Sequence, residues 1–347
     1  MNSQPHRIAI AGAGPAGCAA AITLKNSGAE VTLFERGHVN KEKPCGDAFL
    51  PAAVDILETF GIDTVTRESM GARPFHQVEV QADALGSKRG TMKPGPGWLI
   101  PRSSLDQGLR DIAATSADVS YGKSIVSLKP LAEGGIDLEV KDGDVTTVRQ
   151  FDALVIATGS GNLLAKEHGL DGRSVTTAAV TQYVTMVGLE VPLFLFRKQF
   201  LPGYAWTFPM GGQHYNIGVG LLSPEKTKSL QQLMTNFTRE CDISEALPFR
   251  GGAMQLWSGE GLVWHHPSGM VSCGDSAGLI NPYNGEGLTA ALLSGVRAGN
   301  AIASYFKAQR DVAHLEAYSQ WVREHFNREY FHTKIAMMCR MLCGVSS

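Results

Sequence analysis

Two apolar runs near the start of the chain, Arg7-Ile8-Ala9-Ile10-Ala11 and Cys18-Ala19-Ala20-Ala21-Ile22, are joined by Gly12-Ala13-Gly14-Pro15-Ala16-Gly17. Strand, glycine turn and helix in that order make a cradle for the pyrophosphate of a dinucleotide. Gly12 makes the tight turn, Gly14 leaves bare backbone where the pyrophosphate approaches, and Gly17 lets the helix pack on the strand. Pro15 and Ala16 lie at the helix start, whose free amides face the phosphates. The next apolar run, Glu30-Val31-Thr32-Leu33-Phe34, ends in Glu35 and Arg36. A carboxylate at Glu35 can accept hydrogen bonds from an adenosine ribose, so a free 2′-hydroxyl is expected there.

The chain has 347 residues, 44% of them hydrophobic and 18% charged, which suits two closely packed domains. A net charge of −2 and the lack of any long run of like charge exclude a nucleic-acid footprint. Residues 1–7 lead directly into the first strand, and no run of 18 apolar residues occurs, so a cytoplasmic protein is expected. The six cysteines are scattered without a C-x-x-C pair, and neither a disulfide framework nor a metal site is expected. His265 and His266 are adjacent in a strand and face opposite sides, which favours structural roles over a shared ligand.

Pattern changes divide the chain into interleaved parts. Residues 1–74, 100–178 and 266–306 read as a discontinuous α/β nucleotide-binding domain. Residues 75–99 and 179–265, rich in β-branched and aromatic residues with glycine turns, read as a mostly antiparallel α+β substrate domain. Residues 307–347 read as a helical tail, with Tyr318, Trp321, Phe326, Tyr330, Phe331 and several methionines on an apolar face. Cys339 and Cys343, one helical turn apart, suit core or membrane-surface contact better than metal.

Gly274-Asp275, six residues, then Pro282 fits the G-D-x6-P pattern with which flavoproteins of the aromatic-hydroxylase superfamily hold the ribityl chain of FAD. A turn-forming or capping aspartate is the plainer alternative. Pro282-Tyr283-Asn284-Gly285-Glu286-Gly287-Leu288 is expected to begin the next helix and to offer bare amides to the flavin edge. No second glycine fingerprint follows, so no dedicated NAD(P) domain is expected.

Tyr204-Ala205-Trp206-Thr207-Phe208-Pro209, eight residues, then Gly218-Val219-Gly220 resembles the Y-x-W-x-F-P…G-x-G signature of geranylgeranyl reductase-like flavoproteins. Lys43-Pro44-Cys45-Gly46-Asp47 resembles their K-P-C-G-G loop, with Asp47 in place of the second glycine. The resemblance runs from Ile8 to about Phe306 and implies a Rossmann-type FAD domain interleaved with an antiparallel substrate domain. It places Cys45, Gly46, Arg102, Ala157 and Gly159 beside FAD with the motif residues above. A spacer role for Cys45 and solvent exposure for Arg102 are the alternatives. Tyr204, Trp206 and Phe208 would wall an apolar cavity against the flavin, or simply pack a sheet.

The reaction implied is reduction of C=C bonds in an apolar isoprenoid or quinone-like substrate through flavin N5, with Cys45, Tyr204 and Trp206 as catalytic candidates. Electrons would come from an external donor: NAD(P)H, a flavin reductase or a ferredoxin-like protein. Gly46-Asp47-Ala48-Phe49-Leu50-Pro51 also resembles the G-E-S-x-x-P stretch of flavin-dependent halogenases. The alternative is therefore a monooxygenase, hydroxylating or halogenating an aromatic group, with a tryptophan of a partner protein among the candidate substrates. Peripheral membrane contact through the tail stays open.

Overall fold

In the computed structural model, which describes residues 4–38, 43–83, 86–132, 134–161, 163–224, 229–259 and 263–343, the first strand, Arg7–Ala11, is buried from Ile8 onward. A strand buried on both faces belongs inside a parallel sheet. It sits in a six-stranded sheet of order His265–His266, Met270–Ser272, Ala153–Ile156, Arg7–Ala11, Glu30–Glu35, Asp118–Tyr121. Every neighbouring pair is parallel except the outermost two-residue strand. Side chains alternate across it: Ile8 and Ile10 join the helical core, whereas Ala9 and Ala11 face a three-stranded antiparallel sheet contributing Ile125, Leu138 and Val140.

On the helical side, Pro15–Thr23 packs against the long helix Leu288–Lys307 with almost nothing between the backbones. A Cβ at Gly295 would lie 2.2 Å from the Ala16 carbonyl oxygen, and one at Gly299 would lie 2.8 Å from that of Ala20. This contact runs the two helices parallel, the long one starting about two turns beyond the first, and points both N-termini toward the carboxyl end of the sheet, where α/β folds bind ligands.

The second large sheet has the order Ile243–Ala246, Val175–Met186, His214–Leu221, Gly203–Gly211, Leu193–Phe196, Gln77–Ala82, Gly86–Thr91, with Arg250–Leu256 also pairing to Val175–Met186. It is antiparallel except where Leu193–Phe196 meets Gln77–Ala82. One face carries Val180, Val184, Ala205, Ile217 and Val219, closed by Met234 and Phe237 of the helix Leu230–Glu240. The other face carries the aromatic residues of the signature. Val175–Met186 runs through the expected junction at residue 178 and pairs in this sheet along its length. A small sheet, Ala48–Phe49, Gly97–Leu99 and Arg73–Phe75, links the two regions.

The tail forms one helix, Ala313–Cys343. The Tyr318 hydroxyl donates to the Ser272 carbonyl and that of Tyr330 to the Leu279 carbonyl, so the helix braces the segment bearing Asp275. Tyr318, Phe326 and Tyr330 are buried, while Phe331 points away and is exposed. The expected single apolar face is therefore split. The side chains of Cys339 and Cys343 lie outside the described residues. Among the described residues no helix is long and apolar enough to cross a membrane.

Gly295→Val is expected to force the two helices apart and destabilise the fold by about 1–3 kcal/mol, as overpacking does. Denaturant unfolding of the variant would show this as a lower midpoint at unchanged slope.

Candidate functional site

Backbone meets backbone at the glycine turn. Gly12 has φ 109°, and a Cβ there would fall 2.3 Å from the Ala157 carbonyl oxygen; one at Gly17 would fall 1.9 Å from that of Gly12. At Gly14 nothing lies within 4 Å of the corresponding position, which leaves its backbone open to a ligand. Glu35 accepts from the amides of Ala13 at 3.0 Å and Gly37 at 2.7 Å, one on each carboxylate oxygen. Each oxygen keeps a lone pair for a ribose hydroxyl. The buried Arg110, which the sequence reading did not single out, donates from Nε to the Ala13 carbonyl at 3.2 Å and so fixes the turn from behind. Arg36 is exposed, with its guanidinium beside Gly161.

At the adjoining strand end, Gly274 has φ 63° and lies against Ala16, while Asp275 accepts from Lys43 Nζ at 2.8 Å and Ser160 Oγ at 3.0 Å. Burial works against its charge, but the Lys43 ammonium and these hydrogen bonds outweigh it and hold the carboxyl below its ordinary value. The stretch leads into the helix: Asn281 accepts from the Tyr283 amide and Asn284 from the Glu286 amide, which folds 282–287 into turns. The helix begins at Leu288, with the Glu286 carboxylate accepting from the Thr289 amide at 2.7 Å. Burial pushes the Glu286 carboxyl up. Gly285 and Gly287 remain beside this end of the molecule, and the buried hydroxyls of Thr158 and Thr289 have no partner. Open backbone at Gly14, acceptors at Glu35 and Asp275 and two unpaired hydroxyls at the strand and helix ends fit the phosphates, ribose and ribityl chain of FAD.

Facing this end is the aromatic side of the second sheet. Tyr204, Trp206 and Phe208 stand in a row at centroid spacings of 6.0 and 6.2 Å, with Phe194 and Phe196 alongside. The indole of Trp206 lies flat over the next strand, where a Cβ at Gly218 would meet its Cζ2 at 2.1 Å. This explains the glycines of the signature. The Tyr204 hydroxyl donates to the Asn284 carbonyl at 2.6 Å, joining the aromatic row to the turns before the long helix.

The loop 43–47 lies between the two halves. A Cβ at Gly46 would touch Phe208 at 3.0 Å and Trp206 Nε1 at 3.3 Å. Asn216, fully buried, holds the loop in place: its Nδ2 donates to the Cys45 carbonyl at 2.7 Å and to Asp47 at 2.8 Å, and its Oδ1 accepts from Trp206 Nε1 at 3.0 Å and Thr181 Oγ1 at 2.7 Å. Asp47, also fully buried, has φ 62°, accepts from the Tyr183 hydroxyl and takes the Arg102 amide on its other oxygen at 3.2 Å. Burial pushes its carboxyl from the ordinary 3.8 up to about 6, against the pull of Tyr183, Asn216 and Arg102.

Arg102 is not exposed. It is 4% accessible and grips Asp106 with Nε and Nη2, both at 2.9 Å. Its guanidinium also meets the Cys45 thiol, whose pKa is raised by burial and drawn down in part by that charge. Cys45 is half-buried and its sulfur accepts from the Asp47 amide at 3.3 Å. Thus the structure brings Cys45, Gly46, Arg102 and Trp206 together, and Asp275 reaches the same loop through Lys43. Asn216, Tyr183 and Thr181 were missed; a lone asparagine inside the apolar strand His214–Leu221 was the available signal. His265 and His266 have separate partners, Ser319 and the Ser268 amide.

The family model described as pyridine nucleotide-disulphide oxidoreductase matches residues 6–188, just over half of the chain. The chain belongs to that family. It is an FAD-dependent oxidoreductase. Among its relatives, a menaquinone reductase of Mycolicibacterium smegmatis is 27% identical over 95% of this chain and 83% of its own length. A digeranylgeranylglycerophospholipid reductase of Methanosphaera stadtmanae is 22% identical, covering 87% of this chain and 76% of that one. The fold is shared with a geranylgeranyl bacteriochlorophyll reductase-like protein of Thermoplasma acidophilum, at TM-score 0.84 and 18% identity over 99% of this chain and 88% of the other. A p-nitrophenol 4-monooxygenase of Pseudomonas putida also has it, at TM-score 0.79 and 14% identity over 98% and 90%.

Arg102→Met is expected to destabilise the protein by about 3–5 kcal/mol, since it strands a buried carboxylate. The double change Arg102→Met with Asp106→Met should recover most of that loss in the same unfolding assay. Because the folded pKa of Asp47 is raised, its contribution to stability is full below about pH 4 and is lost as pH rises through about 6. Unfolding midpoints between pH 4 and 7 should therefore fall less steeply in Asp47→Asn than in the parent.

Proposed function

We propose that this flavoenzyme saturates carbon–carbon double bonds in the isoprenoid part of an apolar substrate, a polyprenyl quinone or polyprenyl lipid. One observation carries the reading: a continuous aromatic sheet face, Phe194, Phe196, Tyr204, Trp206 and Phe208, lies under a Cys45 loop that is itself tied to the Asp275 motif. Such a face is chemically suited to an alkyl chain. The names of the reductases similar along nearly the whole chain support the same substrate class.

In this proposal Gly12, Gly14, Pro15, Ala16 and Gly17 hold the pyrophosphate, and Glu35 with Arg36 holds the adenosine. Asp275 and the backbone of Gly274, Pro282, Gly285, Glu286, Gly287 and Leu288 hold the ribityl chain and ring edge, with Ala157 and Gly159 lining the turn opposite. Bound FAD, once reduced, supplies hydride. Trp206 and Tyr204 orient the alkene and exclude water, while Cys45 and Gly46 press the substrate against the ring. The electron donor is external. Phe194, Phe196 and Tyr204 are partly exposed at the edge of this face.

The reading is tested by reducing the holoenzyme anaerobically and adding menaquinone or geranylgeranyl diphosphate in detergent. Flavin reoxidation with a product that carries two more hydrogens in its isoprenoid chain, and not merely a quinone ring reduced to the quinol, is expected, and Trp206→Ala should slow it at least tenfold. The monooxygenase fold neighbour keeps a second outcome in view: reoxidation by dioxygen alone, with oxygen inserted into an aromatic.

A further inference from the structure

We propose that Tyr183 is the proton donor of this reaction and that Asp47 is the positioning residue that recharges it. The inference deepens the alkene-reductase reading and rests on it. Hydride transfer leaves one alkene carbon needing a proton, and the aromatic wall holds few groups able to give one.

Tyr183 stands on the same sheet face as Trp206 and directly opposite Asn216 in the strand pairing. It is half-buried and lines a small cleft with Cys45, Arg102, Lys43 and Arg250. Its hydroxyl meets the Asp47 carboxyl, a group with no exposure to solvent. Neither competing candidate has such a supply. The Tyr204 hydroxyl gives its proton to a backbone carbonyl, that of Asn284, and a carbonyl cannot return one. The Cys45 sulfur is occupied by the Asp47 amide and the Arg102 guanidinium.

The step balances as follows. One alkene carbon receives hydride, and with it an electron pair, from the reduced flavin. The π electrons form the new C–H bond at the neighbouring carbon, which takes the Tyr183 proton. The phenolic oxygen regains a proton from the neutral Asp47 carboxyl. The carboxylate left behind is already provided with donors: Asn216 Nδ2, the Arg102 amide and the restored Tyr183 hydroxyl. The charged and titratable groups around Asp47 are Cys45 on its own loop, Arg102 on the following helix and Tyr183 on the facing strand, while the strand His214–Leu221 presents the neutral Asn216. Burial keeps Asp47 protonated to about pH 6, where it can act as a source.

The test uses anaerobically reduced holoenzyme mixed with geranylgeranyl diphosphate, which has alkenes but no quinone ring, in detergent across pH 5–8. Reoxidation of the parent should slow as pH rises past about 6 and show a solvent deuterium isotope effect. Tyr183→Phe should slow it by about 10²–10⁴-fold, the usual contribution of a general acid, with reduction by dithionite unchanged. Asp47→Asn should flatten the pH profile. In the FAD-free protein, infrared difference spectra should show a carboxyl C=O band that titrates near pH 6 and is missing in Asp47→Asn. If Asp47→Asn fails to fold, Tyr183→Phe, which keeps the carboxyl in place, still decides. Parent-like reoxidation in Tyr183→Phe, or a parent-like pH profile in Asp47→Asn, overturns the pair while leaving the reductase reading intact. Failure of the parent to reoxidise with any alkene removes both.

Discussion

Direct backbone-to-backbone contact is the constraint on which the cofactor half rests. Gly12 and Gly17 close the turn upon itself and upon Ala157, and Gly295 and Gly299 bring the long helix onto the first one. Each contact would be broken by a single methyl group. Together they bring two helix N-termini and two strand ends to one place, so that amides and carboxylates from residues 12, 35 and 275 converge without any side chain having to reach far. The tail helix then fastens the strand Met270–Ser272 through Tyr318 and the segment after it, at Leu279, through Tyr330.

The substrate half depends on one buried amide. Asn216 uses both of its hydrogens and its carbonyl oxygen, and through them the Cys45 loop, Asp47, Thr181 and Trp206 take fixed positions relative to one another. Buried polar groups of this kind are stabilising only when every partner is present. The loop therefore has a defined shape despite a residue, Asp47, held in a left-handed conformation that an L-amino acid adopts reluctantly. The three hydrogen bonds to its carboxyl offset that strain.

Legibility from sequence followed the range of the interactions. The phosphate turn, the Glu35 strand end, the G-D-x6-P segment and the aromatic alternation of residues 204–208 are local patterns, and each is found where its spacing implies. The burial of Arg102 rests on Asp106 one turn later, an arginine and aspartate four apart on one helix whose pairing the sequence reading did not use. Asn216 and Tyr183 could not be placed, and the partner of Lys43 could not be read, because their meaning lies in residues 169, 136 and 232 positions away. The turns at 282–287 are set by the side chains of Asn281 and Asn284, which cap local amides just ahead of the helix.

The ion pair between Lys43 and Asp275 carries one more implication. It joins the loop that covers the aromatic face to the residue on which a ribityl chain would rest, so whatever alters one partner is felt by the other. Such linkage is reciprocal by thermodynamic necessity. An occupied aromatic face should then tighten the grip on the prosthetic group, and a protein stripped of that group should hold its greasy guest more loosely.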